Sequence, residues 1–319
     1  MIEITTDIHK AKMILKKDEL VAIPTETVYG LAGNCFSETA INKIFETKKR
    51  PLFNPLIVHI HSEKILEDIA IEIPEKAKLL AKAFWPGSLT LVLKKNPKIP
   101  DSITAGKDTV AVRIPNHEMT IKLLKALDFP LVAPSANPFG SISPTSAQHV
   151  ADYFSNELKM VLDGGNCING IESTIIGFEN NEPILYRLGS ISSEEIEAVI
   201  GKLMILNHNE NTPEAPGMLS RHYSPKTKII LVDNVIEQIE KNSNKKIGVI
   251  SFKDTIYHHS LKSIEILSKE GNLKQATRNL YAAMHRLDKL GLDLIIAQRF
   301  PQNDLGKSIN DRLHRAAKN

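Results

Sequence analysis

Over the first 200 residues the apolar positions switch repeatedly between the two-residue period of strands and the 3.6-residue period of helices. Leu20–Ile23 is a continuous apolar run that stops at Pro24, which predicts a buried strand. Ser37 precedes Ile41, Ile44 and Phe45, one face of a helix that its hydroxyl can cap. Leu56–Ile60 reads as a strand. Pro74 opens a helix carrying Ala77, Leu80, Ala81 and Phe84, and Trp85-Pro86-Gly87 stops it. Leu89–Leu93, Thr109–Ile114, Leu131–Ala133, Met160–Leu162, Ser173–Phe178 and Ile184–Arg187 are further strands. So many strands, with helices between only some of them, fit an α/β or α+β sheet of mixed direction better than a strict βαβ series.

The periodicity stops at residues 206–226, a stretch rich in Asn, Pro and Ser that reads as a linker. A βα series follows it. Lys228–Val232, Ile247–Ser251 and Leu292–Ala297 are strands, Leu273–Leu290 is an amphipathic helix, and a last helix begins after Asp304. These elements predict a small, mostly parallel three-layer domain.

Composition narrows the class. With 319 residues, 42% of them hydrophobic and 24% charged, the chain can bury a large core and is not a disordered polymer. The net charge of +3 hides an asymmetry: residues 206–319 carry 18 Lys and Arg against 12 Asp and Glu, leaving residues 1–205 slightly acidic. Neither part is a basic array of the kind that binds nucleic acid by charge alone. Cys35 and Cys167 are too few for a disulfide framework and lack zinc spacing. The N-terminal residues have no continuous apolar core, so no signal peptide is expected, and no run is long enough to span a membrane. A cytoplasmic protein without a membrane partner is the expectation.

Five segments could carry chemistry. Pro24–Leu31 sets two threonine hydroxyls and a carboxylate after a buried strand, a pattern that by itself favours a polar strand-to-helix turn. Lys48-Lys49-Arg50 at a helix end suits the helix dipole and also suits a phosphate clamp. His59 alternates with apolar residues, as a structural histidine would. Arg113 lies inside an apolar strand and needs an anion, either an internal carboxylate or that of a substrate. Ala133–Asn137, with Gly140, Ser143 and Thr145, offers hydroxyls and amides to an anion; helix capping by Ser143 or Thr145 is the plainer use. Asp163-Gly164-Gly165, Gly170–Thr174 and Arg187-Leu188-Gly189 complete the set. No Walker A, dinucleotide, GxSxG or HExxH motif occurs, so any nucleotide is held in an unconventional way.

In this order the segments PTETVYGL, KKRPLFNPLIVHI, FWPGSLTLVL, TVAVRIP, APSAN, SPT, DGG and GIESTI resemble the YrdC-like threonylcarbamoyl-AMP synthases. The linker APGMLSRHYSP and the terminal NDRLHRAA resemble that family's longer, two-domain branch. The resemblance implies an α/β protein: a YrdC-like twisted open mixed sheet with helices over residues 1–205, a linker over 206–226 that acts as a lid on the active site, and a small Rossmann-like three-layer α/β domain over 227–319. It implies synthesis of L-threonylcarbamoyladenylate from L-threonine, bicarbonate or CO2 and ATP, with Mg²⁺ accompanying the ATP and pyrophosphate released. The product would pass to a tRNA threonylcarbamoyl transferase complex, and direct tRNA binding is not expected.

By the same resemblance, Thr27, His59, Arg113, the Ala133 backbone and Ser173 hold threonine. Lys48, Arg50, Asn54, Thr109, Ser135, Asn137, Ser143, Arg187 and His222 line the ATP, with Arg221 and Tyr223 beside His222; no protein nucleophile is implied. The chain departs from the family pattern at Leu219-Ser220, Leu188 and Phe139. Two rivals are an RNA-binding module, disfavoured by the charge, and carbamoyl transfer from carbamoyl phosphate, whose proteins carry extra cysteine-rich regions missing here.

Overall fold

The computed structural model describes residues 2–206, 215–216, 218 and 222–318. Among these, eleven strands make one mixed sheet and four make a second. The large sheet runs, in space, Glu3–Thr5, Met160–Leu162, Val21–Ile23, Gly30–Asn34, Leu131–Val132, Ile57–His59, Thr109–Arg113, Leu89–Lys94, Thr174–Glu179, Glu182–Arg187 and Met204–Ile205. Parallel and antiparallel pairs alternate irregularly, as the scarcity of helices between strands required.

Local signals place the helices. Ser37 accepts a hydrogen bond from the Ala40 amide and starts the helix Glu38–Lys48. The helix Glu75–Phe84 begins behind Pro74 and ends at Trp85. Ser192 and Glu195 form a reciprocal capping box on the helix Ser193–Ile200. Val58, Val112, Leu91 and Leu93 point to one face of the large sheet, where Ile41, Ile44, Leu80 and Ile196 from these helices complete the main core.

Two sequence expectations are corrected here. Pro24–Leu31 does not lead into a helix; the chain turns back as the strand Gly30–Asn34, antiparallel to Val21–Ile23. The helix after the 133–145 loop is capped by Ser146, not by Ser143 or Thr145, because the Ser143 hydroxyl is committed elsewhere. The periodicity also passed over Leu261–Ile266, an edge strand whose half-buried residues give little apolar contrast.

The second sheet is parallel throughout, ordered Ile229–Val232, Leu294–Gln298, Ile247–Ser251 and Leu261–Ile266. Val235 and Ile239 of one helix cover one face. The helices Leu273–Asp288 and Leu305–Ala317 cover the other, giving three layers. Their buried residues Leu280, Met284 and Leu313 share one cluster with Val28, Ile142 and Ile171 of the large-sheet part, so the two sheets are joined by core and not by a hinge alone. The Ser308 hydroxyl donates to the Gly189 carbonyl across this junction. No described helix is long and apolar enough to cross a membrane. Cys35 and Cys167 are buried free thiols.

Gly170 marks how closely the two parts approach. A Cβ there would lie 2.4 Å from the Arg278 carbonyl oxygen, and its φ is +76°. Gly170→Ala should therefore destabilise the protein by about 1–3 kcal/mol, the usual cost of forcing extra atoms into a packed contact. Thermal unfolding measures this, and a melting temperature equal to that of the parent chain would refute the close junction.

Candidate active site

The functional residues converge on a cleft on the face of the large sheet opposite its main core. Strand register builds half of it. His59 pairs with Arg113, and Ile57 with Ala111, on neighbouring parallel strands. With a two-residue period these side chains share one face, while Val58 and Val112 enter the core behind. Arg187 ends the strand Glu182–Arg187, and Ser173 immediately precedes Thr174–Glu179. Thr25 and Thr27 come from the turn after Val21–Ile23, and Ser135 from the loop after Leu131–Val132. The described linker residues close the other side: Ala215 and Met218 pack on Ile57, Val92, Ala111, Ile175 and Tyr186, while Pro216, His222 and Tyr223 line the cleft.

Thr27, His59, Arg113, Ala133, Ser173, Arg50, Ser135, Arg187 and His222 all line the cleft. Five further expected residues do not. Lys48 is buried and its ammonium donates to the carbonyls of Ser135 and Asn137, propping that loop from behind. Asn54 accepts from Arg50 Nη2 at 2.6 Å and so aims the guanidinium. Asn137 donates to the carbonyls of Pro138 and Ser141. Ser143 donates to Glu172 at 2.6 Å. Thr109 stands at the start of its strand, opposite Lys94 and outside the cleft. Arg221 lies outside the described residues, as do Leu219 and Ser220.

Arg113 has the internal carboxylate that its burial demanded. Glu26 Oε1 lies 2.7 Å from Nη2, Thr27 Oγ1 accepts from Nη1 at 3.0 Å, and the Gly87 carbonyl accepts from Nε at 3.2 Å. The Nη2 group nevertheless makes no aligned hydrogen bond among the described residues. Thr25 spends its proton on the Val28 carbonyl, so the hydroxyl of Thr27 donates to Thr25, 2.8 Å away, and keeps its acceptor side toward Arg113.

Arg50 and Arg187 are different. Each is at least nine-tenths buried and lines the cleft, and among the described residues neither has a carboxylate within ion-pair distance. Carbonyls hold them: those of Asn54 and Pro55 for Arg50, and those of Ser173 and Pro216 for Arg187. Burial, and then the neighbouring Arg187, push Arg50 down to about 9; burial likewise lowers Arg187. Two desolvated cations that repel each other are stabilised by an anion between them.

Both cleft histidines are held neutral. Burial, reinforced by Arg113, lowers His59 to about 3. Its Nδ1 faces the Ile57 carbonyl at 3.1 Å, and a carbonyl only accepts, so the proton sits there and Nε2 is left as an acceptor. Burial also lowers His222 to about 3.

Glu172 was quoted only as part of a motif, yet it lines the cleft and binds the second domain. It accepts from Ser143, from the Tyr281 hydroxyl at 3.0 Å and from Arg312 Nε at 2.8 Å. Burial pushes it up, but Arg312 and then Arg187 outweigh that and hold it at about 2. Its second-domain partners Tyr281 and Arg312 lie more than 100 residues away, so no local signal could have found them. Tyr223 did carry a signal, as an aromatic beside Arg and His in a linker with no apolar pattern.

Comparison with known proteins agrees with this layout. Residues 13–189 match the Sua5/YciO/YrdC family profile, described as "Telomere recombination". Residues 191–318 match the profile described as the C-terminal domain of threonylcarbamoyl-AMP synthase. The threonylcarbamoyl-AMP synthase of Pyrococcus abyssi is 43% identical, over 97% of this chain and 94% of that protein. That of Bacillus subtilis is 38% identical, over 97% and 92%. The crystal structure of P. abyssi Sua5 complexed with L-threonine superposes with a TM-score of 0.92 at 41% identity, covering 99% of this chain and 97% of that one.

Stability should depend on these protonation states. His59, His222 and His149 are lowered to about 3 and His285 to about 4, each mainly by burial. Below pH 6.5 the unfolded chain takes up protons that the folded one refuses, so stability is complete above pH 6.5 and falls as pH drops toward 4. Each histidine contributes a slope of about 1.4 kcal/mol per pH unit where the two states differ by a full proton. Glu172 adds a further loss only between its ordinary 4.5 and about 2. Thermal unfolding across pH 4–8 tests this. A flat profile below 6.5 would contradict it, and the double substitution His149→Gln, His285→Gln should flatten the profile by about two protons' worth.

Proposed function

We infer the reaction from the premise that this chain belongs to the Sua5/YciO/YrdC family of threonylcarbamoyl-AMP synthases, over both of its domains. It is a nucleotidyltransferase that makes L-threonylcarbamoyladenylate from L-threonine and ATP, for tRNA modification. Bicarbonate or CO2 supplies the carbamoyl carbon and pyrophosphate leaves. The product passes to a separate tRNA threonylcarbamoyl transferase complex in the cytoplasm. The observation that carries this reading is the pair of buried guanidiniums, Arg50 and Arg187, without a carboxylate in ion-pair contact among the described residues, next to a corner made by Thr27, His59 and Arg113.

In that corner the threonine carboxylate takes Arg113 Nη2, the donor group that makes no aligned hydrogen bond. His59, neutral and with Nε2 as an acceptor, receives a hydrogen from the threonine amine or hydroxyl. Thr27, the Ala133 backbone and Ser173 enclose the rest. The free amine forms an N–C bond to CO2 and gives up a proton, or to bicarbonate with loss of water; the carbamate oxygen then attacks the α-phosphorus of ATP. One P–O bond forms and the bond to pyrophosphate breaks. Arg50 and Arg187 neutralise the phosphates in this step, and Ser135 and His222 border them. Preformed cations in a dry cleft do this without reorganising. Lys48, Asn54, Asn137 and Ser143 act at one remove, by holding Ser135, Arg50, the 137–141 loop and Glu172.

No group of three or more His, Cys, Asp or Glu side chains among the described residues could hold a metal. Among the described residues the carboxylate lining the cleft is Glu172, which already has three donors. Mg²⁺ would come with the ATP, and would supply charge neutralisation as pyrophosphate leaves. Residues 206–226 serve as a lid; the buried Pro216, His222 and Tyr223 support this by excluding water from a labile carbamate.

Purified protein given L-threonine, bicarbonate, ATP and Mg²⁺ should release pyrophosphate only when all are present; release that ignores threonine or bicarbonate would overturn the reading. Arg113→Ala should cost about 2–5 kcal/mol in kcat/KM for threonine, as expected when one side of a buried charge contact is removed. Unchanged threonine kinetics would remove Arg113 from its role.

A further inference from the structure

The last helix, Leu305–Ala317, reaches the cleft through groups that the reaction itself does not call on. Arg312 is fully buried. Its Nε donates to Glu172 Oε2 at 2.8 Å, its Nη2 to the Leu188 carbonyl at 2.6 Å and its Nη1 to Asp311 at 2.6 Å. Its guanidinium carbon lies 4.8 Å from the centre of the Tyr223 ring. One side chain therefore touches a residue that lines the cleft, the backbone next to Arg187, and the ring of a linker residue.

The backbone of the same helix holds the linker on either side of that ring. The His222 amide donates to the Arg315 carbonyl at 3.5 Å, and the Ser224 hydroxyl to the Ala316 carbonyl at 3.3 Å. These carbonyls lie in the last turn, where a helix has no acceptors' partners of its own. Tyr223 takes the left-handed conformation, φ +63°, a strained choice for an aromatic residue that persists only when its surroundings enforce it. The His222 and Tyr223 rings meet edge to face, with centroids 4.2 Å apart. Fixing Tyr223 thus fixes His222 over the cleft.

We propose that Arg312 is a positioning residue for ATP: from the second domain it sets Glu172, the Leu188 carbonyl beside Arg187, and the His222–Tyr223 strap, so that the nucleotide half of the cleft is complete only when the last helix is docked. A lysine cannot replace it, because a single ammonium lacks the planar fork that meets Glu172 and Leu188 together and stacks on the ring. Thr27, His59 and Arg113, which make the threonine corner, share no hydrogen bond or ion pair with Arg312 among the described residues, so the effect falls on the nucleotide half.

The inference rests on the synthase reading, and the test separates the two. In the pyrophosphate assay with the full chain, Arg312→Lys should raise KM for ATP by about tenfold or more, the coupling expected within one buried polar network, while KM for threonine stays within about twofold. Arg312→Met should do the same more strongly, and ATP titration by calorimetry should reproduce the ATP effect without turnover. A merely structural role would lower the active fraction, and hence kcat, with neither KM moved. Equal rises in both KM values, or an unchanged KM for ATP in a folded variant, overturn the proposal. If Arg312→Met fails to fold, Arg312→Lys alone decides. Failure of the parent chain to turn over threonine would count against the synthase reading instead.

Discussion

The structure depends on one buried carboxylate. Glu172 sits where the loop before Thr174–Glu179 meets the helices Leu273–Asp288 and Leu305–Ala317, and almost none of it reaches water. A lone charge there would be costly, so its compensation is structurally obligatory. Ser143 comes from the loop beyond Asn137, Tyr281 and Arg312 from the second domain, and Arg187 contributes from across the cleft. Together these groups outweigh the burial cost and keep the carboxylate ionised. Domain docking, loop position and the charge of the cleft are therefore one requirement met at one atom group.

The same economy explains the electrostatics around it. Among the described residues three guanidiniums line the cleft, and their environments divide them. Arg113 is matched by Glu26 and stays oriented by Thr27 and the Gly87 carbonyl. Among the described residues Arg50 is held by carbonyl and amide oxygens and Arg187 by carbonyls and the Ser173 hydroxyl, with no carboxylate in ion-pair contact with either. The histidines between them stay uncharged because burial opposes a further positive charge. The cleft thus sets a corner built from Thr27, His59 and Arg113 beside a cationic half at Arg50 and Arg187, with the described linker residues Pro216, His222 and Tyr223 along its lining.

Much of this was legible from residue order. The strand at Thr109–Arg113 was readable from alternation, and a buried Arg within it demanded an anion, which Glu26 supplies. The helix at Glu38–Lys48 was readable from Ser37 and its apolar face. The turn Pro24–Leu31 was misread as leading to a helix because its polar residues resemble a helix start; Thr25 instead ties back to Val28 and turns the chain into a strand. Lys48 looked like a phosphate ligand in a basic run. Its burial commits it to two backbone carbonyls, something no local pattern announces.

Residue sequence alone determined the mixed α/β class, the break in pattern before the second sheet and the family motifs, because periodicity, capping and short motifs are local and survive in one dimension. Tertiary structure alone decided which polar groups meet. Glu172 and Arg312 are 140 positions apart, and Thr27 and Arg113 are 86 apart. A buried charge chooses its partners by distance in space, and the energy of that choice depends on desolvation, which no window of sequence contains.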